Sequence, residues 1–191
     1  MKASKDQTAP GDLEILRLFI NTGDPENPAQ EKLPGLVAAA AWLREHQLLD
    51  AHDNLDEAAL ERIIGLREAF RMELLAHTGD GDQQESWDLL SGFANMAELG
   101  IRSRETPGEI ALAAKGQGAQ YVAGRLFSIM YDAIRRNQWT RLKACRKDTC
   151  LFGFYDHSKN GSGVWCDMAV CGNRLKAQRR RQRAGAALER S

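Results

Sequence analysis

A chain of 191 residues, 43% hydrophobic and 27% charged, can bury an apolar core without disulfides, and its length fits a body of about 140 residues with a small appended module. The formal net charge is zero, yet residues 1–140 hold 14 basic against 22 acidic side chains, while residues 141–191 hold 12 against 4. The asymmetry points to the tail, not the acidic body, as the part that faces a polyanion; the same division also lets the two halves attract each other.

In chain order, Leu13, Leu16 and Ile20 with Ile15 and Phe19 have helical spacing that stops at Asn21-Thr22-Gly23. Pro34 is placed to open a second helix, with Trp42 and Leu43 as its anchors. A third helix is expected from Asn54, whose side chain would cap the backbone with Glu57 reaching back, and runs through Leu60, Ile63, Leu66, Phe70 and Leu74 to about His77. The Gly79–Asp82 turn separates it from a fourth, Gln84 to Leu99. Thr106-Pro107-Gly108 then divides two short runs starting at Ile101 and Ile110, which pair as a hairpin. Gly116-Gln117-Gly118 has the form of an anion-holding helix start, and Ala119–Asn137 is helical. A boundary is expected near Gln138–Arg141.

All four cysteines fall within the 27 residues that follow, as Cys145-x4-Cys150, fifteen residues, then Cys166-x4-Cys171. Two thiol pairs at this separation match a zinc site. Zinc takes four thiolates tetrahedrally, and a full cysteine set leaves no position for a reacting water, so the expected ion is structural. His157 lies between the pairs and is read as a hairpin side chain. Leu151–Tyr155 is strand-like, Lys159–Gly163 is turn chemistry, and Val164-Trp165 is expected to return as the partner strand. Asp167 is placed to cap a helix that contains Cys171 and continues through Arg183. A knuckle, a hairpin and a helix make a treble-clef-like arrangement. The fold class is thus α+β and mostly helical, with a multihelical body over 1–138 bearing a small hairpin and a zinc module over 139–191.

Cys171-Gly172-Asn173-Arg174 resembles the signature of the CGNR zinc fingers, and Phe152, Asp156, Ser158, Asn160-Gly161, Trp165-Cys166 and Met168 extend the resemblance. Upstream, Phe19–Thr22, Trp42-Leu43 and Leu66–Glu68 are similar to the ABATE domain that accompanies this finger. The resemblance implies a bacterial, stress-induced transcription regulator, with a helical domain that senses a small-molecule effector and a finger that binds DNA. Ser162-Gly163-Val164 departs from it, because relatives tend to carry arginines before the Trp-Cys pair.

Six of the ten residues from Arg174 to Arg183 are basic, namely Arg174, Lys176, Arg179, Arg180, Arg181 and Arg183. With Gln178 they form the candidate nucleic-acid surface, since neutralised phosphates release counterions and Arg and Gln also reach base edges. Three alternatives stay open: arginines paired with the acidic body, RNA bound by aromatics beside arginines, and a protein partner met by Phe152, Phe154, Tyr155 and Trp165. Asn173 and Arg174 also read as architectural. In the body, Asn21, Thr22, Arg67 and Arg71 are the candidate effector-binding residues, although Asn21-Thr22 is equally an ordinary helix stop. The histidines His46, His52, His77 and His157 are scattered without a nucleophile signature, so no enzyme is expected. The polar start from Met1 to Asp6 is no signal peptide and nothing approaches the ~20 apolar residues of a membrane span, which points to the cytoplasm, where thiols stay reduced.

Overall fold

The computed structural model describes residues 7–103 and 106–173. Five helices form the body: α1 (Leu13–Ile20), α2 (Leu36–Glu45), α3 (Glu57–Ala76), α4 (Gln83–Ala94) and α5 (Gly118–Arg135). Between α4 and α5, β1 (Leu99–Ser103) pairs antiparallel with β2 (Ile110–Ala114), Ile101 opposite Leu112. The expected hairpin is present, and it takes over Leu99, so α4 ends five residues earlier than its expected end.

Two expected helix starts move. The cap of α3 is Asp56, whose carboxylate accepts from the Ala59 amide at 2.7 Å, rather than Asn54. Asp56 has the extended backbone that a cap requires and lies directly before the helix. Helix α2 begins at Leu36, with Gly35 as its cap, so Pro34 stands ahead of the helix and not in its first position. Asp82 caps α4 as a carboxylate does, accepting from the Gln84 and Glu85 amides.

Helix α3 is the axis of the core. Ile63, Leu66, Phe70 and Leu74 are fully buried among Leu16, Phe19 and Ile20 of α1, Leu43 of α2, Leu90 of α4 and Val122 and Leu126 of α5. The hairpin lies close on α5 because Gly124 has no side chain there; a Cβ would stand 2.9 Å from the Glu98 carbonyl. The Gly118 amide at the start of α5 donates to the Asp53 carboxylate at 2.9 Å, so the chain's own acid occupies the anion position expected of Gly116–Gly118.

The apolar core does not stop at the end of α5. Trp139, in a short 3-10 turn over Trp139–Arg141, packs its ring against Phe70 with centroids 6.2 Å apart. Leu142 and Ala144 of β3 (Leu142–Ala144) and Tyr155 of β4 (Gly153–Tyr155) belong to the same buried cluster as the helices. His77 Nδ1, at the end of α3, donates to the Leu142 carbonyl at 2.8 Å. Among the described residues no helix is long and apolar enough to cross a membrane.

Candidate metal centre

Strand β4 pairs antiparallel with β3, the strand that leads into Cys145, in the register Leu142↔Tyr155. This corrects the expected pairing of β4 with Val164-Trp165. The physical reason lies in the side chains of Lys143 and Asp156. The buried Lys143 ammonium donates to Asp156 Oδ2 at 2.8 Å and to the carbonyls of Gly161 and Gly163. Asp156 in turn accepts from the backbone amides of Ser158 and Gly163. The segment after β4 is therefore wound around one carboxylate instead of extending as a strand. Gly163 permits this approach, since a Cβ there would lie 2.8 Å from Asp156. Val164 keeps one backbone bond, accepting from the Arg146 amide at 2.9 Å.

The first cysteine pair sits on a tight knuckle. The Cys145 amide donates to the Phe152 carbonyl, and the Cys150 and Leu151 amides both donate to the Lys147 carbonyl. Leu151 takes a left-handed backbone with φ 49°, uncommon for a side chain other than glycine, which turns the chain sharply out of Cys150. The second pair lies at a single turn of π-helix, Met168–Gly172. Asp167 caps it as expected, accepting from the Ala169 and Val170 amides at 2.7 and 3.0 Å.

These two supports bring the sulfurs of Cys145, Cys150, Cys166 and Cys171 within 4.8 Å of one another. Cys166 Sγ is 3.7 Å from both Cys150 Sγ and Cys171 Sγ. A tetrahedron with Zn–S bonds of ~2.3 Å has sulfurs ~3.8 Å apart, so the donor set fits one zinc ion. The thiols' electrostatics agree. Hydrogen bonds from Cys150 and then Cys166 pull the Cys145 thiol down to about 2, and the hydrogen bond to Cys145 pushes Cys150 up to about 12. Cys166 is likewise raised, chiefly by its hydrogen bonds to Cys145 and Cys150, and Cys171 by burial and then by the Cys145 charge. Four thiols this close do not all ionise beside one another; a dication supplies the missing charge. His157 takes no part, its Nε2 lying 2.9 Å from the Thr8 carbonyl.

The four polar residues proposed for an effector have their hydrogen bonds already made within the chain. Asn21 treats Gly153 as a strand partner would, its Oδ1 accepting from the amide at 2.7 Å and its Nδ2 donating to the carbonyl at 2.8 Å. Arg71, 3% exposed, donates to the carbonyls of Leu151, Ile20 and Gly23 and to Glu68. Arg67 donates to Thr22 Oγ1, Glu31 and Glu68. Burial lowers the Arg67 guanidinium's affinity for its proton, but its bonds to Glu31 and Glu68 more than offset this and raise it above its ordinary value. Thr22 itself donates to the Phe19 carbonyl. Two of the four thus grip the residues just after Cys150.

The basic residues of the knuckle are also engaged. Arg146 Nε is 3.0 Å from Asp80, and Glu26 accepts from Lys147 and from Thr149 Oγ1. Arg141 donates to the carbonyls of Asp156, Ser158 and Lys159. None of these pairings was signalled in the sequence, because each joins residues far apart in the chain. Of the aromatics considered for a partner surface, Phe154 and Tyr155 are buried, Trp165 is half-buried and Phe152 is 37% exposed. Arg174, Lys176, Gln178, Arg179, Arg180, Arg181 and Arg183 lie outside the described residues.

Comparison with family models matches residues 141–184 to the CGNR zinc finger and residues 18–134 to ABATE, described as "Putative stress-induced transcription regulator". No curated protein matches the chain. With most of its length inside the second of these models and its four cysteines inside the first, the chain belongs to the ABATE family and ends in a CGNR zinc finger.

Proposed function

We propose that the protein is a non-catalytic, cytoplasmic transcription regulator that binds duplex DNA through the basic segment 174–183, with the helical body modulating that binding in response to an effector. The observation that carries this reading is how the finger's positive charge is distributed. Arg141, Lys143, Arg146 and Lys147 are all bonded to groups of the chain itself, which leaves Lys159 as the one basic residue of 139–173 with no such bond. Phosphate binding by the finger then depends on the six basic residues that begin three positions after the ligand Cys171. Zinc fixes where that segment starts; the metal supplies structure and no reaction.

Binding of the full zinc-loaded chain to duplex DNA, measured over a range of salt, tests this. Each phosphate neutralised adds ~0.9 to the slope of log K against log salt, so changing Arg179, Arg180 and Arg181 together to Ala lowers the slope by roughly 2 to 3. An unchanged slope removes the segment from the interface. Nuclease-insensitive capture of a protein, or preference for single-stranded RNA, would favour the other partners.

A further inference from the structure

Strand β1 has a neighbour on one side only. It pairs with β2 in a two-stranded sheet, and among the described residues no third strand joins them. Helix α5 covers β2, where Ala111 is buried and Ala114 meets Gly124. Every residue of β1 except Gly100 is exposed, Leu99 by 38% and Ile101 by 74%.

The register fixes which backbone groups of β1 point away from β2. The Lys115 amide donates to the Glu98 carbonyl at 2.8 Å, so these opposite residues form a bonded pair. Bonded and non-bonded pairs alternate along an antiparallel ladder. Gly100 and Arg102 therefore turn their amides and carbonyls to Ala113 and Ala111 of β2, while Leu99, Ile101 and Ser103 turn theirs outward. Among the described residues none of these three bonds to anything on that side. Folded proteins close such an edge with a proline, a lysine, a bulge or a covering element. Strand β1 contains neither proline nor lysine, its register runs without a bulge, and Arg102 is its sole charge.

The edge is complementary to itself. With two copies of β1 set antiparallel about a two-fold axis at Gly100, Leu99 of each stands opposite Ile101 of the other. These are residues whose backbone groups face outward, so each such pair exchanges both bonds. On the other face Glu98 of each copy stands opposite Arg102 of the other, acid against base. Lys115, whose flexible side chain lies over Gly100, is diagonal to the same carboxylate. An axis at Arg102 would set two guanidiniums against each other. One at Ile101 would set Leu99 against Ser103 and leave Arg102 opposite Gly100, so apolar and charge matching both select Gly100.

We propose that the chain forms a two-fold dimer by pairing β1 with β1 of a second copy, which joins the two hairpins into one continuous sheet. About five residues a side make a small interface, so the dimer is a weak one that dissociates in the micromolar range. It places one finger on each side of the axis, and a duplex bound by both fingers presents two half-sites related by the same symmetry. The dimer itself does not depend on the nucleic-acid reading.

Sedimentation of the full zinc-loaded chain without DNA, from micromolar to submillimolar concentration, tests this. Wild type should pass from monomer to dimer as concentration rises. Ile101→Pro removes an outward amide and none of the bonds between β1 and β2, so it should stay monomeric while keeping the helical circular dichroism and zinc content of wild type. Arg102→Glu sets a carboxylate against Glu98 of the other copy and should weaken the dimer about tenfold. Adding Glu98→Gln to it should recover most of that loss. Ile110→Ser strips an exposed apolar side chain from β2 without touching the β1 edge, and should leave the dimer intact. The proposal is overturned if wild type is monomeric throughout, or if Ile101→Pro dimerises as wild type does. Loss of the dimer in Ile110→Ser but not in Ile101→Pro would mean that the hairpins meet face to face and not edge to edge. No recovery on adding Glu98→Gln would overturn the axis at Gly100. DNA binding measured separately keeps the readings apart: a dimer that binds no DNA sinks only the nucleic-acid reading, and a monomer that binds DNA sinks only this one.

Discussion

Lys143 and Asp156 show how one buried ion pair decides the path of a whole segment. Both side chains are 4% exposed, and the carboxylate makes three hydrogen bonds while the ammonium makes three. Burial pushes the Asp156 carboxyl up, but the bonds from Lys143, Ser158 and Gly163 outweigh it and hold the group well below the ordinary carboxylate range. A carboxyl lowered in the folded state stabilises fully above its unfolded value of ~4, and the contribution is lost as pH falls through the lower folded value. Asp156→Asn keeps the shape but strands a buried ammonium, so urea unfolding of the zinc-loaded chain at neutral pH should show a loss of about 3 to 5 kcal/mol. The variant should also lose less stability than wild type on acidification below ~4, because the group that titrates there is gone. A loss under 1 kcal/mol would mean that the pair is not what winds residues 157–163. In the sequence Asp156 stood out only as part of a family resemblance, and Lys143 did not stand out at all. Charge pairing between positions thirteen apart with no helix between them leaves no periodicity to read. Asn21 was read from its neighbours as a helix stop, which it is; its second task depends on Gly153, 132 residues later.

At the scale of elements, legibility followed how local the cause is. The helices, the hairpin and the Asp167 cap come from spacing and capping chemistry within a few residues, and these the sequence shows with shifts of one to five residues at the ends. The cysteine cluster is equally legible, because four cysteines in two evenly spaced pairs, with none elsewhere in the chain, match a zinc site by spacing alone. The partner of β4 was not, since Val164-Trp165 and Leu142–Ala144 are both too short to carry a strand pattern and only the buried Lys143 and Asp156 side chains choose between them. The knuckle between Cys145 and Phe152 also carries a consequence for the body. Arg71 holds the Leu151 carbonyl and Asn21 holds Gly153, so the geometry that zinc imposes on Cys150 is passed within three residues to α1 and α3. Removing zinc with a chelator should speed amide hydrogen exchange first in 145–153 and 164–173 and then at Asn21–Gly23, the turn that follows α1. Exchange confined to the finger, with Asn21–Gly23 as protected as before, would show that the body does not feel the metal.

For the molecule as a whole, the division between an acidic body and a basic tail suggested attraction between halves, and the structure shows where some of it is used. Arg146 meets Asp80 and Lys147 meets Glu26, but these are surface pairs, with Asp80 45% and Glu26 39% exposed in their side chains. Such pairs contribute about 0 to 1 kcal/mol each and are screened by salt. The finger is held more firmly by what salt does not reach: Leu142, Ala144 and Tyr155 in the common core, Trp139 against Phe70, and the buried Arg71. Body and finger should therefore unfold as one unit. Heating the zinc-loaded chain while following tryptophan fluorescence, helical circular dichroism and release of zinc to a coloured indicator should give coincident transitions. Raising the salt to about 0.5 M, where the Debye length is only a few Å, should move that shared transition little. If zinc were released in an earlier transition that salt brings lower still, the finger would be a separable bead held by charge, and its docking on the body would be the step open to regulation. A single salt-tolerant transition places any regulation instead in the segment beyond Asn173, whose start is then as fixed as the core itself.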